Sequence, residues 1–118
     1  MNLRPGIVSL VRFPQSDLED GKYRPIVLLA PLPGPFGDWL TCAVTSQLRH
    51  KVDDWDEIID ANDPDFLASG LKCSSLIRLG KLATLESKVL EGVLGEISPQ
   101  RLDRLLQRLG KYLQNQCS

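Results

Sequence analysis

Side chains able to bind a phosphate lie at the ends of two apolar segments of the chain. Residues 23–29 (YRPIVLL) begin with an arginine, and residues 41–47 (TCAVTSQ) end with hydroxyl and amide side chains. If the segments pair as antiparallel strands, the start of one lies beside the end of the other. Arg24 would then lie near Thr45 and Ser46. Because arginine offers a planar fork of donors and keeps its charge, this arrangement predicts a site for an anionic substrate.

Charge is unevenly distributed along the 118 residues. The formal net charge is only -1, from 14 Lys and Arg against 15 Asp and Glu. Seven of the acids and no base lie in residues 53–65, so the rest of the chain carries fourteen bases and eight acids. We interpret this as an acidic segment on an otherwise basic body. The alternative is that both signs are ordinary solvated surface.

Length and composition predict a single domain over residues 1–118, large enough to bury its own core. The three cysteines, Cys42, Cys73 and Cys117, are widely spaced and have one histidine to join them. We therefore expect no zinc site, no disulfide framework, and a buried Cys42. The sequence shows neither a leader pattern nor a long apolar run, which predicts a cytoplasmic protein with no membrane contact.

Patterns along the chain predict several short strands followed by one helix. Ser98 is a candidate N-cap and Pro99 a candidate first helical residue. Five leucines then recur at helical spacing and predict one buried stripe, whereas the basic residues between them predict a solvated face. The predicted strands are 6–13, 25–30, 38–46, a short one within 55–60, 75–79 and 89–97, and residues 80–84 are predicted to be irregular. The leucines of the helix are Leu102, Leu105, Leu106, Leu109 and Leu113. The basic residues between them are Arg101, Arg104, Arg108 and Lys111. This order indicates a small, strongly bent antiparallel sheet capped by a helix.

The ordered set of motifs resembles the MazF/PemK family of toxin endoribonucleases. The motifs are GIVSLVRFP (6–14), YRPIVLL (23–29), AVTSQ (43–47), SGLK (69–72), SLIRLGKLATL (75–85) and LGEISP (94–99). The resemblance implies a mainly β protein with a C-terminal helix, built as an SH3-like barrel and usually a homodimer. It also implies cleavage of single-stranded RNA, often mRNA, without a metal or other cofactor, and neutralisation by a cognate antitoxin.

By position, the family's catalytic arginine and threonine correspond to Arg24 and Thr45. In this chain the segment 4–7 (RPGI) lacks the acid with which the family commonly begins its first strand. We expect Arg24 to bind the scissile phosphate and Thr45 to donate a hydrogen bond to one of its oxygens, while the ribose 2′-OH attacks. Ser46 and Gln47 would assist.

Tyr23 and His50 complete the set of candidate site residues. Tyr23 could stack on an unpaired base. Histidine is the residue type whose unperturbed pKa lies near neutrality, so His50 is a candidate proton acceptor, although an isolated loop histidine is more often solvated. Residues 14–23 are a candidate lid over the RNA.

Simpler interpretations remain open for each of these residues. Arg24 could form an ion pair with an acid of the preceding loop, and Thr45 could be an ordinary strand residue. At the level of the whole chain, the alternative is a non-catalytic barrel that binds a protein, or a gyrase-directed toxin of the same fold.

Overall fold

The structure is a computed structural model, and it describes residues 2–12 and 23–117. These residues form six strands, two α-helices and short 3-10 turns at 48–50 and 87–89. The strands are β1 (Ile7–Arg12), β2 (Tyr23–Pro31), β3 (Asp38–Thr45), β4 (Glu57–Ile59), β5 (Ser75–Glu86) and β6 (Leu90–Glu96), and the helices are α1 (Phe66–Ser69) and α2 (Pro99–Gln114).

The strands of the described segments form one antiparallel sheet in the order β4-β5-β3-β2-β1-β6. Strands β1, β2 and β3 follow one another as a meander, whereas β6 returns from the end of the chain to pair with β1. The predicted fold class, mainly β with a C-terminal helix, is confirmed. Five of the predicted strands lie within two residues of their observed bounds.

Strand β5 continues through residues 80–84, where the sequence predicts an irregular stretch. Both halves of β5 pair with β3, because Leu82 lies opposite Cys42 and Arg78 lies opposite Ala43. Adjacent residues of β3 therefore face residues of β5 that are four positions apart. The residues between them form a bulge around Gly80, which bends the strand without ending it. The prediction of an irregular stretch was wrong for this reason.

Apolar side chains cover both faces of the sheet. Alternate residues of β2 enter different clusters, since Val27 and Leu29 belong to one and Ile26 and Leu28 to the other. The first cluster also contains residues of α2, so the helix packs on that face. Cys42 is fully buried in it, as predicted, and burial together with the nearby charge of Asp56 raises the pKa of the thiol to about 12.

Helix α2 begins where the sequence predicts it. Ser98 is the N-cap, and its Oγ accepts a hydrogen bond from the backbone N–H of Arg101 at 3.1 Å. Pro99 occupies the first helical position, where the missing N–H costs nothing. Within residues 2–12 and 23–117, no helix is long and apolar enough to cross a membrane.

The predicted leucine stripe of α2 is buried over most of its length. Leu105 and Leu109 are buried, and Leu102 and Leu106 pack against the same cluster. Leu113, one turn later, is 56% exposed. The prediction that all five leucines are buried was therefore wrong at the last one, because the contact with the sheet ends at Leu109.

Helix α1 packs its backbone against strand β6 at the edge of the sheet. Gly70 ends the helix in the left-handed conformation, with φ of 73°. A Cβ on Gly70 would lie 2.2 Å from the carbonyl oxygen of Leu94, and one on Gly95 would lie 2.0 Å from that of Ala68. Both positions require glycine because a side chain would collide with backbone. Since α1 follows β4 but packs on β6, this segment links the two edges of the bent sheet.

Candidate active-site cleft

The register of the sheet brings Arg24 and Thr45 together. Strand β2 pairs with β3 with Ile26 opposite Ala43, and continuing that register by two residues places Arg24 opposite Thr45. Residues directly opposite in an antiparallel pair have Cβ atoms about 4.5–5.5 Å apart and share one face of the sheet. The two candidate catalytic residues therefore lie on the same face, at the same end of neighbouring strands.

Both residues line a cleft of about 530 Å³ at these strand ends. Tyr23, Ser46 and Gln47, the candidate substrate-binding residues, line the same cleft. Within the described part of the chain, the charged side chains that line it are Arg24 and Lys72, both cations. The cleft is therefore electrostatically suited to an anionic ligand.

His50 lies apart from this group. It is exposed in the 3-10 turn 48–50, and it is not among the described residues that line the cleft. The candidate lid, residues 14–23, lies outside the described residues except for Tyr23. The acids proposed as alternative partners of Arg24 lie in the same undescribed segment.

Thr45 forms a local hydrogen bond at the end of β3. The Thr45 Oγ1 accepts a hydrogen bond from the backbone N–H of Gln47 at 3.2 Å. Because a hydroxyl also carries one proton to donate, Thr45 can still donate to a ligand oxygen. The Gln47 side-chain oxygen accepts a hydrogen bond from Arg49, which fixes the amide at the rim of the cleft.

Tyr23 is held from two sides at the start of β2. The Arg12 guanidinium lies 5.8 Å from the ring centroid, across the β1–β2 pair. The Tyr23 hydroxyl donates to the Glu91 carboxylate of β6 at 3.4 Å. The side chain is still 46% exposed, so part of the ring remains open to a ligand.

Arg78, which sequence reasoning did not consider, shares a sheet face with Arg24 and Thr45, although it is not among the described residues that line the cleft. Thr45 lies opposite Leu76, two residues before Arg78 on β5. Such diagonal neighbours are about 7–8 Å apart, within reach of a long side chain. The Arg78 Nε is buried and has no hydrogen-bond partner in the part of the chain that the structure describes. The available signal was a charged residue inside an otherwise apolar strand, 76–79 (LIRL).

Residues 70–73 were also missed as part of the site. In the sequence these residues stand out only as part of the motif SGLK (69–72), yet Gly70, Leu71, Lys72 and Cys73 all line the cleft. The motif SGLK (69–72) covers most of this segment, but it does not by itself indicate that the segment lines a cleft. It arises because the segment travels from one edge of the sheet to the other, which depends on the tertiary fold.

The acidic segment and the arginines of α2 neutralise each other away from the cleft. Arg101 is 6% exposed and donates from Nε to Asp65 Oδ2, from Nη1 to Glu57 Oε1 and from Nη2 to Asp63 Oδ2, each at 2.9 Å. Arg104 and Arg108 donate further hydrogen bonds to Glu57, at 3.0 and 3.2 Å. We call these six residues the α2 ion-pair cluster.

This cluster corrects the prediction of a solvated basic face on α2. The prediction was wrong for Arg101, because the acids needed to bury it lie more than thirty residues earlier in the chain. The Arg101 hydrogen bond lowers the pKa of Asp65 to about 2, against the effect of burial. Burial would also raise the pKa of Glu57, but the hydrogen bond and charge of Arg104, with the charges of Arg101 and Arg108, lower it.

Comparison with known proteins places the chain in a family. The family model described as the PemK-like, MazF-like toxin of type II toxin-antitoxin systems matches residues 4–113. The chain belongs to this family. The resemblance noted in the sequence is thereby confirmed for the PemK/MazF toxins. Among curated proteins, no sequence matches the chain significantly.

Solved structures similar to this PemK/MazF-family chain include MazF toxins. An endoribonuclease in complex with its cognate antitoxin, from a mycobacterial species, is 15% identical with a TM-score of 0.64, over 95% of each chain. The Mycobacterium tuberculosis toxin MazF-mt6 is 15% identical with a TM-score of 0.64, over 94% of this chain and 97% of its own. MazE–MazF from Deinococcus radiodurans is 23% identical with a TM-score of 0.66, over 92% of each chain. These likenesses show that the chain has the MazF toxin fold.

Proposed function

We propose that this PemK/MazF-family chain is the toxin of a type II system, and that it cleaves single-stranded RNA without a metal ion. The observation that carries the proposal is the register of β2 and β3, which sets a permanent cation opposite a hydroxyl in one cleft. A volume of about 530 Å³ lies in the range of small-molecule sites, so the cleft has room for a nucleotide.

The reaction that fits these groups uses the substrate's own nucleophile. The ribose 2′-oxygen attacks the adjacent phosphorus and the bond from phosphorus to the 5′-oxygen breaks, which leaves a 2′,3′-cyclic phosphate and a 5′-hydroxyl. One proton leaves the 2′-oxygen and one reaches the 5′-oxygen. The protein has to hold the phosphate in line and stabilise the extra negative charge of the pentavalent transition state.

Arg24 binds the scissile phosphate in this proposal and stabilises the developing charge. Thr45 donates its hydroxyl proton in a hydrogen bond to a non-bridging oxygen, with Ser46 beside it. Arg78 adds a second guanidinium on the same sheet face, close to the cleft. Tyr23 offers its exposed ring surface to an unpaired base, the usual way proteins hold single-stranded RNA.

Partners follow from family membership. We propose a cytoplasmic homodimer that is inhibited by a cognate antitoxin. The support is that two of the similar structures are an endoribonuclease with its cognate antitoxin and a MazE–MazF pair.

The function is tested by incubating a labelled single-stranded RNA of mixed sequence with the protein in EDTA. We expect the wild type to cleave it and Arg24→Ala to be slower by about 10²–10³-fold, the usual loss when one group that stabilises transition-state charge is removed. Arg4→Ala is the matched control, since Arg4 is an exposed arginine paired with Glu96.

Equal rates for the wild type and Arg24→Ala would remove Arg24 from the mechanism. A wild type that cleaves none of the RNA in EDTA would contradict the proposed function itself. The control is expected to cleave within about twofold of the wild type, because exposed ion pairs contribute little.

A further inference from the structure

Residues 70–73 form a second wall of the cleft, built by a segment that crosses the sheet. Gly70 packs against Leu94 of β6 at one edge, whereas Ser75 begins β5 on the far side of β3. The segment therefore runs past the ends of the strands that lie between β6 and β5 in the sheet. Its residues Leu71, Lys72 and Cys73 line the cleft together with Arg24 and Thr45.

This crossing segment is fixed at both ends. The Ser69 hydroxyl donates to the Phe66 carbonyl at 2.5 Å and accepts from the backbone N–H of Leu71 at 3.2 Å. The Ser75 hydroxyl donates to the carbonyl of Cys73 at 2.8 Å. Together with the close packing of Gly70, these bonds anchor the two ends of the segment, and selective recognition requires such support.

The cleft has two chemically different parts. Arg24, Thr45, Ser46 and Gln47 supply charged and polar groups from the ends of β2 and β3. Leu71 and Leu94 supply apolar surface, and the exposed Lys72 supplies a single cation beside them. A nucleotide has the same division, with an anionic phosphate and a flat, largely apolar base that carries polar atoms on its edge.

We propose that the crossing segment selects the base next to the scissile phosphate, a proposal that rests on the proposed function. Leu71 and Leu94 pack against the base, and Lys72 donates to acceptors on its edge. Lysine is a donor only, so it favours bases that present acceptors, guanine with O6 and N7 or uracil with O4. Cytosine and adenine, which present an amino group, are disfavoured.

The test maps cleavage sites in a random-sequence single-stranded RNA pool for the wild type and for Lys72→Glu. The substitution replaces a hydrogen-bond donor by an acceptor. The measured quantity is the ratio of guanine plus uracil to adenine plus cytosine beside the cleaved bond. We expect this ratio to fall by about fivefold or more in the variant. Lys72 is exposed, so the variant is expected to fold, and thermal unfolding checks this.

Two further variants separate selection from other effects. Lys88→Glu makes the same charge change in the turn 87–89, where Lys88 pairs with Glu86 outside the cleft, and is expected to keep the wild-type base preference. Leu71→Ala opens the apolar wall and is expected to broaden the preference, whereas Leu67→Ala changes a leucine that is 90% exposed and is expected to leave it unchanged.

The outcomes distinguish the two proposals. If the wild type cleaves with a base preference and Lys72→Glu keeps that same preference, base selection by the crossing segment is overturned while the nuclease function stands. An equal shift in Lys88→Glu would also overturn it, because the effect would then be general charge. If the wild type cleaves nothing, the proposed function fails and this inference fails with it.

Discussion

Two regions of the molecule use arginine in opposite ways. In the α2 ion-pair cluster, Arg101 is buried against three carboxylates, and Arg104 and Arg108 complete the neutralisation of Glu57. In the cleft, Arg24 and Lys72 are the charged residues among the described lining. In the first arrangement the arginines neutralise buried acids and stabilise the fold, whereas in the second the cations line a cleft.

The comparison explains how a chain of net charge -1 can offer a cationic site. The acidic segment is not spread over the molecule but is anchored on α2 and β5. Asp56, for example, is buried and accepts hydrogen bonds from the backbone N–H groups of Val52 and Leu79, each at 2.9 Å. Net charge therefore says little about the cleft, because most of the acids of residues 53–65 have partners outside it.

The largest expected effect is on stability, in Arg101→Met. Methionine keeps much of the apolar stem but leaves Asp65 buried without its cation, so we expect a loss of about 3–5 kcal/mol in the free energy of unfolding. Urea denaturation measures it. Arg104→Ala is the control, since Arg104 is half exposed, and a loss below about 1 kcal/mol is expected. Similar losses in both variants would show that the cluster is not organised around Arg101.

The next effect is on rate, in Thr45→Val. Valine keeps the β-branched shape and removes the hydroxyl, so we expect RNA cleavage to fall by about 10²–10³-fold. The unfolding midpoint is expected to stay close to that of the wild type. This pattern is the reverse of Arg101→Met, which would change stability first. A valine variant that cleaves at the wild-type rate would show that Thr45 is only a strand residue.

The smallest effect is a dependence of stability on pH through Asp65. The pKa of Asp65 in the folded protein is about 2, below the ordinary value of 3.8. The contribution of Asp65 to the free energy of unfolding is therefore complete above a pH of about 4 and is lost as the pH falls from about 4 to about 2. We expect about 1–2 kcal/mol from this group. Urea denaturation of Asp65→Asn at pH 5 and pH 2.5 is expected to show lower stability than the wild type at the higher pH, and a shallower decline.

The fold could be predicted from sequence because its signals are local. Ser98 and Pro99 mark the start of α2, and alternating apolar residues mark the strands. The bulge around Gly80 could not be predicted, since it depends on how β5 pairs with both halves of β3. The same holds for the burial of Arg101, whose partners Glu57, Asp63 and Asp65 are distant in the chain.

The residues in and near the cleft also differ in whether local sequence patterns predict their positions. Arg24, Thr45 and their neighbours end or begin strands that follow one another in sequence, so antiparallel pairing alone predicts that they meet. Arg78 belongs to a later strand, and its place beside Thr45 depends on the order of strands in the sheet. Residues 70–73 reach the cleft by crossing between the two edges of the sheet, and the motif SGLK (69–72) does not indicate that crossing.

The packing of α1 on β6 also bears on the exposed margin of the sheet. A terminal strand of a sheet exposes unsatisfied amide and carbonyl groups and can recruit strands from other molecules into aggregates. Here the backbone around Ala68 and Gly70 lies against Leu94 and Gly95, and Glu91 and Glu96 add charge along the same strand. The two glycines thus protect this margin of the sheet from unwanted association, a benefit separate from any contribution to chemistry.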